Sequence, residues 1–143
     1  MMPLAAMLLA ASAAIILLLG ILHLKITFRG DKLRPRDPAL EERMREVSPH
    51  ITRETTMWKT WIGFNASHSI GAILFGAVFG YLALAHAAFL FHSPFLLAIG
   101  FLTLAGYCFL GVRYWFSIPF RGIALATALY LGALATYWIS GSP

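Results

Sequence analysis

LAAMLLAASAAIILLLGILHLKITF, residues Leu4–Phe28, runs straight into RGDKLRPRDPALEERMREVSPHITRETTMWK, residues Arg29–Lys59. The first stretch carries one charge near its end and the second carries most of the charge in the protein. Every Lys, Arg, Asp and Glu of the chain lies either between Lys25 and Lys59 or between Arg113 and Arg121. A charge at the centre of a bilayer costs roughly 2.5–3.5 kcal/mol on insertion scales, so charge-free segments can span and charge-bearing ones stay at the surface. The pattern is that of a multi-pass membrane protein.

Composition agrees. Of 143 residues 59% are hydrophobic and 12% charged, against about 25% charged in a soluble domain, and mean hydropathy is +0.76. A bilayer core about 30 Å thick takes about 20 helical residues, and four segments qualify: 4–28, 60–85, 94–116 and 119–139. The expected fold is all-α, a four-transmembrane-helix bundle forming a single membrane domain over residues 1–143. The apolar run at the N-terminus has no basic segment before it and is longer than a signal-peptide core, so it reads as a retained span. The net charge of +5 lies beside the spans, where membrane topology accounts for it, and no nucleic-acid partner is expected.

Of the eleven Lys and Arg residues, ten fall in the first and third connections and the other, Lys25, at the adjoining end of the first span; these connections lie on one side of a four-span protein. The positive-inside rule then puts the 29–59 and 113–121 connections in the cytoplasm and both termini outside it. Trp58, Trp61, Tyr114, Trp115 and Phe120 form an aromatic belt at the cytoplasmic interface, with Tyr81, Tyr137 and Trp138 at the other. Ser93-Pro94 offers an N-cap and N1 proline to the third span, and Pro119 suits the first turn of the fourth. In the first connection Asp37-Pro38 starts a short amphipathic cytoplasmic helix, with Glu41 and Glu42 early and Arg43 and Arg45 late, as the helix dipole prefers. Its stripe is Leu40, Met44 and Val47, and Ser48-Pro49 ends it.

Small residues four apart allow helices to approach closely in lipid, where dispersion contact replaces the hydrophobic drive. Ala72, Gly76 and Gly80 form one such row, and Ala124, Ala128 and Gly132 another. These rows predict helix packing, within the chain or against a second copy or partner.

Chemistry has one concentrated location. In Gly63–Gly71, four polar side chains fall within five residues, and Asn65, His68 and Ser69 share the helix face that continues into Ala72 and Gly76. At about 1.5 Å per residue, Asn65 and His68 lie roughly 7–12 Å deep, and His23 lies at a similar depth. Three readings compete. The cluster is interhelical hydrogen bonding; or His23, Asn65, His68 and Ser69, with Arg113 and Trp115 above them, hold a lipid headgroup, quinone or other amphiphile; or His23 and His68 are the axial ligands of a b-type haem. Arg113 reads as a side chain snorkelling to phosphates, with an inward pairing to Glu54 as the alternative.

Several chemistries are disfavoured. No carboxylate or thiol accompanies the span histidines, and His86 and His92 are a poor pair, so no metal site is expected. The lone Cys108 cannot form an intrachain disulfide. No acid lies within a span, unlike small ion-coupled multidrug exporters. Ser67 and Ser69 diverge from His68 on a helix and no acid orients the imidazole, which removes a serine-hydrolase triad.

His23–Phe28, Lys32–Asp37, Thr55–Trp58, Gly63–Gly71 and Arg113–Pro119 together resemble an uncharacterised family of short bacterial four-span integral membrane proteins. The resemblance implies a membrane location and a bacterial source and supplies no catalytic residue. The expected role is a non-catalytic accessory or binding subunit that packs with a membrane-protein partner or itself and holds a lipid-like ligand near His68. The alternative is an electron-transfer subunit with haem or quinone at His23 and His68.

Overall fold

A computed structural model of the protein describes residues 2–139, which are helical throughout apart from short connections. The helices are α1 (Met2–Phe28), α2 (Pro38–Glu46), α3 (Met57–Ala85), α4 (Ala87–Phe91), α5 (Pro94–Tyr114) and α6 (Ser117–Ile139). With 27, 29, 21 and 23 residues, α1, α3, α5 and α6 are long and apolar enough to cross a membrane. Large apolar side chains such as Leu18, Phe64, Leu74, Leu102 and Phe109 stand exposed along them, which a water-soluble bundle would avoid and a lipid-facing surface requires.

Local chemistry sets the helix ends. Arg29 N–H still donates to Lys25 O at 2.9 Å, and Gly30, at φ 93°, supplies the left-handed backbone that stops α1. Asp37 caps α2, its Oδ1 accepting from Ala39 N–H at 3.0 Å, with Pro38 at N1. Ser93 Oγ likewise accepts from Leu96 N–H at the start of α5. Helix α3 begins at Met57, one turn before the expected span, and Thr56 Oγ1 accepts from Lys59 N–H. Charge at Lys59 bounds the expected span and does not end the helix. Helix α5 stops at Tyr114 because α6 starts already at Ser117; Pro119 then falls in the first turn, where its missing N–H costs nothing. The expected external turn between the second and third spans contains a short helix, α4, whose Leu90 and Phe91 are buried.

Contacts cluster into two compact units, one comprising 1–19 and 72–143, the other 20–71. Within the first unit, parts of α1, α3, α5 and α6 pack as a four-helix bundle. Its core is Leu9, Ala13 and Ile16 of α1, Ala72, Phe75 and Phe79 of α3, Leu97 and Leu104 of α5, and Ile123, Ala126 and Tyr130 of α6. Hydrogen bonds cross between its helices: Ser12 Oγ donates to Ala126 O at 2.7 Å, Tyr130 Oη donates to Leu97 O at 2.9 Å, and Cys108 Sγ and Thr127 Oγ1 lie 3.2 Å apart. Phe91 stacks on Tyr137, with ring centroids 4.8 Å apart, so α4 covers one end of this core.

Gly76 is where two backbones meet. A Cβ there would lie 2.6 Å from Leu17 Cβ and 2.7 Å from Ala13 O of α1, whereas one at Gly80 would meet only Ala13 Cβ at 3.7 Å. The second small-residue row is placed differently. The buried stripe of α6 is Ile123, Ala126, Tyr130, Ala133 and Tyr137; Ala124 and Gly132 are half-buried and Ala128 is exposed.

Within the second unit, the 29–37 loop joins the end of α1 to α2, and Trp61 near the start of α3 bonds to its Leu33. Met57 N–H donates to Val47 O at 2.8 Å, which closes the segment between α2 and α3. No residue of α2 is buried: Met44 and Val47 are half-buried, and Leu40 is exposed.

Candidate functional site

The second unit brings together His23, Asn65 and His68. His23 and His68 rings meet edge to face, centroids 5.5 Å apart, and Asn65 lies beside them with only 8% of its surface exposed. Asn65 Nδ2 donates to Trp61 O at 2.8 Å, which turns Oδ1 toward His23 Nε2 at 3.0 Å. An amide oxygen can only accept, so His23 carries a proton on Nε2. Trp61 Nε1 in turn donates to Leu33 O at 3.0 Å. One chain of hydrogen bonds thus runs from α1 through α3 into the 29–37 loop. Ser69, 1% exposed, donates back to Asn65 O at 2.8 Å and stays within its own helix.

The histidine pair as arranged does not fit haem. Axial ligation sets two unprotonated ring nitrogens on opposite faces of a macrocycle, whereas these rings touch each other and His23 Nε2 donates to Asn65. Among the described residues no three His, Cys, Asp or Glu side chains group as a metal site. His86 Nε2 meets Tyr81 Oη at 3.0 Å, and His92 Nδ1 donates to Ala88 O at 2.7 Å. The other two expected site residues belong to the first unit. There Arg113 is exposed and Trp115 half-buried, its ring 6.3 Å from that of Tyr107.

No family model, curated protein or solved structure matches the chain. Function has to be argued from the residues.

A hollow of about 220 Å³ opens in the second unit, lined by Ile26, Thr27, Phe28, Gly30, Leu33, Arg34, Arg45, Trp58 and Ile62. It lies where α1 ends and α3 begins. Thr27 is one turn beyond His23, to whose carbonyl its Oγ1 donates at 2.8 Å. Arg45 lies over Trp58, its Cζ 4.5 Å from the ring centroid, within range of a cation–π attraction. Glu41 Oε1 accepts from Arg45 Nη2 at 2.7 Å and Nε at 3.2 Å, and lies 3.9 Å from Arg34 Nη1. The same two arginines and Glu41 line a second hollow beside Pro38 and Glu42. Neither hollow is lined by His23 or His68.

Arg34, Arg45, Glu41 and Trp58 are the residues that sequence reasoning passed over as a solvated connector and an aromatic belt. The available signal was Trp58 one turn before Ile62, at the foot of a span, opposite a helix whose arginines come late. Helical spacing reveals the shared face of Asn65 and Ser69 and cannot reveal a loop folding back onto it.

Proposed function

We propose that this protein is a non-catalytic accessory or binding subunit of the bacterial inner membrane, with both termini outside the cytoplasm, which packs with a partner or a second copy and holds a lipid-like amphiphile. The hollow between the end of α1 and the start of α3 carries this reading. It combines apolar walls from Ile26, Phe28 and Ile62 with two guanidiniums and an indole, the mixture an amphiphile needs at the level where spans leave the bilayer. Its volume is below the roughly 300–1,000 Å³ of drug-sized sites and suits a headgroup with its chains lying in lipid. The His23–Asn65–Trp61–Leu33 chain supports a framework role for the polar cluster: it ties together the walls of the hollow. No observation favours the electron-transfer alternative.

The test is lipid retention. Protein extracted from its native membrane and exchanged through detergent should keep a bound lipid visible by native mass spectrometry, and Trp58→Ala should lose it while keeping its helical content. Equal loss of lipid from both proteins would overturn the reading.

A further inference from the structure

Glu41 stands where an anionic ligand would stand. Its side chain is 16% exposed, against 52% for Arg34 and 49% for Arg45. A single oxygen, Oε1, serves both guanidiniums, an end-on arrangement weaker than the side-by-side pair an arginine can make with a planar acceptor or a phosphate. Among the described residues no hydrogen bond takes up Arg45 Nη1 or Arg34 Nη2. Both arginines also line the hollow between α1 and α3, whose wall contains no carboxylate and whose Trp58 face already attracts the Arg45 cation.

Resting on the reading that this hollow holds an amphiphile, we infer that its polar end is a phosphate bound by Arg34 and Arg45, and that Glu41 is an internal competitor which holds the two guanidiniums until the phosphate replaces it. A phosphate offers several acceptor oxygens and can engage both forks at once, which one carboxylate oxygen cannot. The exchange also keeps the charge balanced: Glu41 swings out toward the hollow on the α2 side, where it reaches solvent, and the two cations never lack a counter-ion. Arg43–Glu46, at 3.2 Å on the exposed side of α2, is an ordinary surface pair and takes no part.

Glu41 and the arginines therefore have opposite signs in a binding experiment. The purified full chain is titrated with phosphatidylglycerol and, separately, with the phosphate-free diacylglycerol of the same acyl chains, and retention is read by native mass spectrometry. Phosphatidylglycerol should bind the better. Arg34→Gln and Arg45→Gln should each weaken it about tenfold, the loss of one charge-assisted contact, and Glu41→Gln should strengthen it several-fold. Arg34 lies in a loop and caps no helix, so its substitution remains informative if Arg45→Gln disturbs α2. Inorganic phosphate added as competitor identifies the source: displacement assigns a soluble phosphate ester, and failure to displace assigns the lipid headgroup. Equal binding of both lipids, indifferent to the arginines, would overturn the phosphate assignment while leaving an amphiphile site intact. Weaker binding in Glu41→Gln would overturn the competitor role, since Glu41 would then be positioning the arginines. Binding of neither lipid would sink the amphiphile reading itself.

Discussion

His23 Nε2 and Asn65 Oδ1, 3.0 Å apart, join α1 to α3 inside the second unit, and the direction of that bond is set by what Asn65 does with its other end. Because Nδ2 is committed to Trp61 O, the amide cannot rotate to serve a different histidine tautomer. The pair is therefore a lock on geometry, and it stands one helical turn from the hollow.

Removing the lock should loosen the unit without dismantling it. Asn65→Leu leaves the His23 Nε2 proton without its acceptor, and hydrogen bonds between membrane helices average about 0.6 kcal/mol, reaching about 1.7. Thermal unfolding in detergent should show a loss in that range. The double variant His23→Leu/Asn65→Leu should recover part of it, because no polar group is then stranded. A double variant as unstable as the sum of the two singles would show that the two residues do not act as a pair.

Gly76 tests packing in the first unit. Leucine there must displace Ala13 O and Leu17 of α1, with backbone atoms among the nearest neighbours, and overpacking of this kind typically costs about 1–3 kcal/mol or more. Val78→Leu, two residues away on an exposed face, should be tolerated. Comparable melting temperatures for the two variants would remove Gly76 from the helix contact.

The four spans, the N-caps at Asp37 and Ser93 and the polar face of α3 were all legible in the sequence, because each follows from local periodicity or from where charge can sit. The close approach at Gly76 falls within an expected row of small residues, although Gly80 of the same row makes only an ordinary contact. On α6 that logic is weaker. Tyr130 and Ala126 occupy the buried stripe while Ala128 is exposed, since a helix apolar on every side gives no periodic signal of which face turns inward. The hollow was illegible because it depends on Gly30 turning the chain and on Trp61 holding Leu33, contacts that no spacing rule encodes.

Orientation rests on charge, and its test is independent of every contact above. Nine of the eleven Lys and Arg residues lie between Lys25 and Lys59 and the other two are Arg113 and Arg121, so the positive-inside bias in the short connections is one-sided. Cys108 is a free thiol, half-buried in α5, and a Cys108→Ala background removes it as a source of labelling. In that background, cysteines introduced at the exposed positions Asp31 and Glu46 should resist an impermeant thiol reagent in intact cells and react after permeabilisation. A cysteine at Phe89, 64% exposed on α4, should react without permeabilisation, because the connection between the second and third spans faces out when the first faces in. The reverse pattern would invert the topology and put the arginine-lined hollow at the outer surface.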